Sequence, residues 1–191
     1  MLALANAEFL EFADVISSFI PVDMQTAANN GDWINMRDYE RMLCVLFKAA
    51  GTAGDDPVFT ITQASDNAGT GSKALNFLRI REKIGTLTGV GQWTIVDYID
   101  ATHGLVRTST DPAGTSSTVR YITAGTYTNT VSAEVSAIFA CEIRATQLDV
   151  ANGFTHVQLS IPDTGSNAQL GCGFCIPFPN KNAQRFPLSA L

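Results

Sequence analysis

The chain has 191 residues, of which 46% are hydrophobic and only 16% are charged, and its formal net charge is −6. This length suits one domain with a real core and leaves no room for a second full domain. The acidic balance argues against direct binding of nucleic acid, because the field of the protein repels phosphate backbones. An average soluble domain is about one quarter charged, so the low value here predicts faces that meet other proteins, with a bland soluble monomer as the alternative.

The N-terminal segment, residues 1–32, fits neither a membrane helix nor an export signal. No apolar run approaches the roughly 20 residues that a membrane-spanning helix needs, which predicts a protein that does not span a bilayer. The first residues lack a basic region, and Glu8, Glu11 and Asp14 interrupt the apolar ones. Synthesis in a cytoplasm then predicts that the cysteines stay reduced and act as small buried apolar residues. They are Cys44, Cys141, Cys172 and Cys175.

The apolar residues of this segment recur at a spacing that a helix would gather on one side, although an extended arm is the alternative. They are Phe9, Phe12, Val15, Ile16 and Phe19. Pro21 is expected to end the segment. A free helix of this length is marginal in water, so the apolar side must dock on the body or on a neighbouring subunit.

The body, residues 33–176, has short apolar runs separated by Gly, Asn, Asp, Thr and Pro, which is typical of strands and turns. We predict about eight strands: 41–48, 58–63, 74–81, 93–99, 119–123, 137–144, 156–162 and 169–176. With no amphipathic helices between them, these strands predict a mainly β fold, an antiparallel, jelly-roll-like β-sandwich. Residues 103–130 are poor in large apolar side chains and are expected to form a loop or hairpin excursion.

The C-terminal residues, 177–191, contain Pro177, Pro179 and Pro187. Prolines at this density are not expected to continue a strand ladder. We therefore predict an extended, partly polyproline-like arm that packs on its own subunit or on a neighbour. Its apolar anchors would be Phe178, Phe186, Leu188 and Leu191.

Motifs for cofactor or metal binding are weak. The stretch AGTGSKAL superficially resembles a phosphate loop, but it has Gly-Ser-Lys in place of Gly-Lys-Ser/Thr and leads into a predicted strand. Cys172 and Cys175 have the spacing of a zinc or redox pair, without a second pair or a helix start nearby. In a strand these two residues would lie on opposite faces. The sequence therefore predicts no metal and no cofactor.

Catalytic groups are also not indicated. His103 and His156 are the two histidines and lie near no evident nucleophile. The carboxylate pairs Asp55/Asp56 and Asp97/Asp100 fall in a turn and at a strand end. Aromatic residues on strands are expected to pack the core, with an exposed carbohydrate platform as the alternative. These aromatic residues are Trp33, Tyr39, Trp93, Tyr98, Phe174 and Phe178.

The densest basic stretch is Arg79, Arg81 and Lys83, whose spacing places all three on one face of a strand with Glu82 on the other. The stretch has two interpretations. It is either a solvated strand face or a contact with an acidic partner protein.

Three stretches resemble a group of tailed-bacteriophage virion proteins encoded near the major capsid gene: WINMRDYERMLCVLFKAAGTAGDDPVFTITQASDNAGTGSKALNF, EIRATQLDVANGFTHVQLSIPDTGSNAQLGCGFCI and NAQRFPLSAL. The resemblance covers Trp33 to Phe77 and Glu142 to the end of the sequence, and it does not cover Arg81 to Val135. It implies a non-enzymatic cement or decoration protein that binds the outer surface of the major capsid protein shell. Self-contacts around a capsid symmetry axis, and a location on the virion after synthesis in the host bacterial cytoplasm, follow from the same resemblance.

The residues expected to contact partners are the apolar anchors and the Thr/Ser-rich part of residues 103–130. They are Phe9, Phe12, Thr108, Thr110, Thr118, Phe178, Phe186 and Leu188. The alternatives are another virion protein, such as a head-to-tail connector or tail component, and a jelly-roll module that binds glycans or a receptor.

Overall fold

Two antiparallel sheets form where the sequence alternates apolar and polar residues between Gly- and Asp-rich turns. The structure is a computed structural model, and it describes residues 9–11, 13–100 and 103–179. Within these ranges it has fifteen strands and three short 3-10 helices, at Phe9–Glu11, Ala145–Gln147 and Val150–Asn152. The predicted antiparallel β-sandwich is confirmed, with more strands than predicted because several are only two to four residues long.

The first sheet has eight strands in the order β1-β15-β4-β13-β7-β8-β9-β10. Their bounds are β1 Ile16–Asp23, β4 Tyr39–Lys48, β7 Arg79–Ile84, β8 Thr94–Asp100, β9 His103–Arg107, β10 Thr115–Ser117, β13 Ala137–Arg144 and β15 Leu170–Pro179. The long strands β15, β4 and β13 lie side by side and form its most extensive paired region.

The second sheet has seven strands, with the path β11-β12-β5-β14-β2 and with β3 and β6 paired to β14 and β5. Their bounds are β2 Asn29–Asn30, β3 Ile34–Asn35, β5 Phe59–Ala64, β6 Lys73–Ala74, β11 Arg120–Thr123, β12 Thr126–Asn129 and β14 His156–Ile161. No helix of the described residues is long and apolar enough to cross a membrane.

The core lies between the sheets and is made of alternate residues of their strands. Met42, Cys44 and Leu46 of β4 face Ile61 of β5 and Leu159 of β14 in one cluster, and all five are at most 1% exposed. Burial of such side chains stabilises the fold by about 1.5–3 kcal/mol each. The face of β4 that carries Met42 is therefore the inner face, and the alternate residues point outward.

Seven of the eight predicted strands lie where the sequence predicts them, and the exception is 74–81. Here β6 ends at Ala74 and β7 starts at Arg79, so the chain crosses between the two sheets. Leu75 and Phe77 are 1% and 3% exposed, and the ring of Phe77 packs edge-on against Phe59 at 6.2 Å. The apolar alternation of this segment therefore reflects burial in the core and not strand pairing.

Residues 103–130 are not an excursion from the sandwich. β9 and β10 extend the first sheet, and the hairpin of β11 and β12 joins the second sheet by pairing with β5. The segment was expected to leave the body because it has few large apolar residues. It is held in place instead by strand pairing and by a few buried residues, such as Ile122 and Tyr127, at 1% exposure each.

The strand β15 continues through Pro177 and Pro179, which were expected to lie in the arm. Pro177 lies opposite Met42 of β4, and its carbonyl accepts a hydrogen bond from the Asp14 amide at 3.3 Å. The amide and carbonyl of one strand residue point to the same side, so the missing N–H of Pro177 faces the β1 side and not β4. The ladder with β4 therefore continues past Pro177, and its register shifts only between Phe178 and Pro179.

The N-terminal segment is extended after its 3-10 turn, because β1 begins at Ile16 and runs through Pro21 as an edge strand. Pro21 does not end the segment, because proline is tolerated on a strand at the edge of a sheet. The predicted C-terminal arm after Pro179, residues 180–191, lies outside the described residues.

Candidate partner-binding surface

The outer face of the first sheet is apolar at its centre. Three outward positions on each of β15, β4 and β13 lie directly opposite one another and form a block of nine residues. These are Cys172, Phe174 and Ile176, then Phe47, Val45 and Leu43, then Ile138, Ala140 and Glu142. Eight of the nine are apolar, whereas the solvent face of an antiparallel sheet ordinarily carries polar residues. We call this block the apolar face.

One end of the apolar face opens into a depression of about 240 Å³ that is lined by Pro21, Phe47, Ala49, Leu170 and Cys172, with the backbone of Gly171. Phe47 is 43% exposed and Leu170 is 55% exposed. Ile20, beside Pro21, is 72% exposed. Large apolar side chains at this exposure on adjoining strands make a patch that is typical of a protein–protein contact.

The other end of the apolar face is covered by the N-terminal 3-10 turn. The ring of Phe9 packs edge-on against Phe178 of β15, with centroids 6.3 Å apart. The guanidinium of Arg41 lies over the same Phe178 ring at 5.0 Å, a cation–π contact. Two predicted anchors, Phe9 and Phe178, are therefore brought together on their own subunit, and Phe9 remains 47% exposed.

The threonines expected to contact partners lie at the far side of the molecule. Thr108 and Thr110 belong to the turn between β9 and β10, where their hydroxyl oxygens are 3.0 Å apart. β9 is five strands from β15, about 24 Å at the usual strand spacing, so these threonines do not join the Phe9–Phe178 pair. Thr118 is exposed between β10 and β11. The predicted anchors Phe12, Phe186 and Leu188 lie outside the described residues.

The cysteines are placed as core residues. Cys175, Cys44 and Cys141 lie opposite one another on β15, β4 and β13, and each is 0% exposed. The Cys175 and Cys44 sulfurs are 3.8 Å apart, and this hydrogen bond together with burial raises the pKa of Cys44. Cys172 lies on the opposite face, as its spacing from Cys175 predicts. In the part of the chain that the structure describes, no cluster of three or more His, Cys, Asp or Glu could hold a metal ion.

The histidines lie in different sheets, His103 in β9 and His156 in β14. His103 Nδ1 is 2.8 Å from Asp100 Oδ1, and His156 Nδ1 is 3.0 Å from the Thr155 hydroxyl. The carboxylate of Asp55 instead stabilises a turn through hydrogen bonds. It accepts hydrogen bonds from the side chain and backbone of Asn167 at 3.0 and 2.9 Å, and these bonds lower the pKa of Asp55.

Each tryptophan has a neighbour packed against its indole ring. The Trp33 indole packs so closely against Gly69 that a Cβ there would lie 2.7 Å from its nitrogen. The Trp93 ring carries the ammonium of Lys83 at 4.8 Å. A separate cavity of about 410 Å³ lies beside the second sheet, where Met36, Leu148 and Phe154 make its walls mostly apolar.

Sequence reasoning missed the central residues of the apolar face, among them Leu43, Val45 and Phe47. One signal was available, because the run Met42 to Phe47 is apolar without interruption, which is typical of a strand buried on both faces.

A scan against protein-family models, a search of curated proteins and a search of solved structures each found no match.

Proposed function

We propose that this chain is a capsid cement or decoration protein of a tailed bacteriophage, which binds the outer surface of the major capsid protein shell and stabilises it. The observation that carries the proposal is the apolar face, eight of whose nine outward residues are apolar. Val45 and Ala140, in the middle of this face, are only 6% and 5% exposed, whereas Phe47 and Leu170 at its end are 43% and 55% exposed, so a partner would cover the apolar surface at that end. The sequence resemblance to phage virion proteins supplies the identity of that partner.

The mechanism is mass action. A protein that binds the assembled shell, and not its dissociated subunits, stabilises the shell by its binding free energy. Many copies on one particle add their contributions, and contacts between copies around a symmetry axis would increase them further. Among the residues that the structure describes, the buried charged groups are Lys48, Asp55 and Glu82, and each forms hydrogen bonds within the chain, which fits a structural role.

The test compares particles assembled with the protein, without it and with the Phe47→Ser variant. Phe47 is 43% exposed at the end of the apolar face that opens into the depression, so the substitution should weaken shell binding with little effect on folding. Val90→Ser is the matched control, because Val90 is 97% exposed in the loop before β8. Imaging measures the external density, and a thermal or osmotic challenge measures the strength of the particles.

We expect particles with the normal chain or Val90→Ser to show the density and resist the challenge, and particles with Phe47→Ser to do neither. Equal robustness and equal density with and without the protein would refute the cement role. Rings of about six or twelve copies in isolation would instead favour the connector alternative. Quenching of Trp33 or Trp93 fluorescence by a glycan would favour the glycan-binding alternative.

A further inference from the structure

A cleft rich in arginine borders the apolar face. The pairing of β7 with β13 ends at Arg81 and Ala140. Beyond that point a cleft of about 280 Å³ opens at the outer surface. Its walls carry Arg79, Arg81, Arg144, Glu142 and Gln147, with Leu78 and Phe77 as its apolar part.

The positive charges of the cleft are only partly neutralised. Arg79 Nε is 2.5 Å from Asp97 Oδ1, but Asp97 is shared with Arg107. Glu142 stands 3.5 Å from Arg144 Nε and 3.6 Å from a nitrogen of Arg41, beyond the distance of a good hydrogen bond. These contacts leave N–H donors of the Arg79 and Arg144 guanidiniums available.

Arg81 is the least compensated of these arginines. It forms no ion pair with any residue in the described ranges. Its position opposite Ala140 places it at the border of the apolar face. A guanidinium in this setting can bind a carboxylate by two parallel hydrogen bonds.

Basic residues also occur on the outer face beyond the cleft, where they are accompanied by the carboxylates of Asp97 and Glu142. Six of the chain's twelve Lys and Arg residues occupy outward positions of β4, β7, β9 and β13, although the net charge of the chain is −6. They are Arg41, Arg79, Arg81, Lys83, Arg107 and Arg144. The charge is therefore polarised toward the side of the molecule that carries the apolar face.

We propose that this cleft binds the carboxylate side chains of an acidic segment on the partner protein that covers the apolar face. The inference rests on the proposed function for the existence of that partner, and it adds the chemistry by which the partner is recognised. Leu78, 67% exposed at the cleft, favours a segment that carries apolar residues beside its acidic ones. The same residue, together with the negative net charge of the chain, disfavours a nucleic-acid backbone.

The first experiment uses the full chain and a fluorescein-labelled peptide of alternating Glu and Leu residues, followed by fluorescence anisotropy. A peptide with Gln in place of every Glu and an oligothymidylate of equal charge are the comparison probes. We expect saturable binding of the Glu peptide at low salt, weakened at least about fivefold by Arg81→Gln or Arg144→Gln. Arg37→Gln is the matched control, an exposed arginine outside the cleft, and it should bind like the normal chain.

The inference is overturned if the Glu peptide does not bind, or if Arg81→Gln binds it as well as the control does. Equal binding of the Gln peptide would show that charge is not recognised, and tighter binding of the oligothymidylate would assign a phosphate site. Thermal unfolding of each variant checks that folding is retained. The Nε–Hε NMR signals of the arginines locate the bound peptide independently of affinity.

The second experiment adds the normal chain and Arg81→Gln to shells that lack the protein. If the normal chain binds and the variant binds at least about fivefold more weakly, both proposals are supported. If both bind equally, the cleft inference fails and the proposed function stands. If neither binds but the peptide result holds, the shell function fails and the acidic-segment site stands.

Discussion

Glu82 of β7 and Arg120 of β11 belong to different sheets, and their side chains form an ion pair inside the sandwich, with Arg120 Nη2 3.1 Å from Glu82 Oε1. The second carboxylate oxygen accepts hydrogen bonds from the Tyr127 hydroxyl and from Asn129 Nδ2. The Glu82 side chain is 1% exposed. Burial and the neighbouring Glu82 carboxylate raise the pKa of Tyr127, so the phenol remains a donor. One buried charge thus connects both layers of the fold.

Glu82→Gln should destabilise the protein by about 3 kcal/mol, because it leaves the Arg120 charge without its partner in the interior. Urea unfolding measures the change in free energy. Glu134→Gln, at an exposed glutamate, is the control and should change stability by less than about 0.5 kcal/mol. A Glu82→Gln variant as stable as the control would show that the network does not hold the sheets together.

Lys48 predicts a specific dependence of stability on pH. Its buried ammonium donates to the carbonyls of Ser132 and Val135, each at 2.7 Å, and burial lowers its pKa to about 8 from 10.5. The unfolded chain therefore binds more protons than the folded one between these values, so the contribution of Lys48 to stability rises with pH across that window.

Lys48→Met lacks this titration. The difference in unfolding free energy between the normal chain and the variant should therefore grow with pH from 8 toward 10, by about 1.4 kcal/mol per unit at the steepest point. Urea unfolding at several pH values measures both curves, and groups other than Lys48 contribute equally to each. Parallel curves would mean that Lys48 titrates alike in the folded and unfolded states.

Gly54 and Gly125 have the same left-handed backbone conformation but differ in the space around them. Substituting each by Ala therefore measures the cost of the conformation separately from the cost of a steric clash. Gly125 and Gly54 have φ of +83° and +84°, but a Cβ on Gly125 would lie 2.7 Å from the Ile61 carbonyl oxygen, whereas one on Gly54 would meet nothing within 4 Å. Gly54→Ala should cost about 1 kcal/mol for the left-handed conformation. Gly125→Ala should cost about 2–3 kcal/mol because it adds the clash. If urea unfolding showed equal losses of unfolding free energy for the two variants, the turn between β11 and β12 would have moved to accommodate the added Cβ.

Thiol reactivity should distinguish the cysteines. Burial raises the pKa of Cys141, and Cys44 and Cys175 are equally enclosed, so these thiols should resist a disulfide reagent in the folded protein. Cys172 is partly exposed on the apolar face and should react alone, with all four reacting in urea. Cys172→Ser should abolish the reaction of the folded chain. Rapid reaction of a second thiol would contradict the described core.

The sequence predicted most of the strands but little of their arrangement. The runs from Arg41 to Lys48 and from Ala137 to Arg144 are strands in nearly the predicted places, because each alternates or is apolar throughout. The pairing of β1 with β15 joins residues about 150 positions apart, and no local pattern encodes such a contact. Short strands such as β2 and β6 are created by their neighbours and have no signal of their own.

The candidate surface was predicted only in part. Phe9 and Phe178 are predicted anchors and do meet, but neither Phe47 nor Leu43 is among the residues predicted to contact a partner. A continuous apolar strand shows that both of its faces are covered, yet it does not show which face meets the second sheet. The arginine cleft arises because β7 and β13 part after Ala140, which is a property of the folded sheet alone.

The antiparallel pairing of β1 with β15 also determines how the sandwich would respond to mechanical load. Ile16 lies opposite Cys175, so the outer ends of both strands emerge at the same end of the ribbon. A pulling force applied between Ala13 and Pro179 would break the hydrogen-bonded pairs of β1 and β15 one after another. It would not load all of these pairs at the same time, as a shearing force does. The two attachment points would therefore separate at low force while the remaining layers stayed folded.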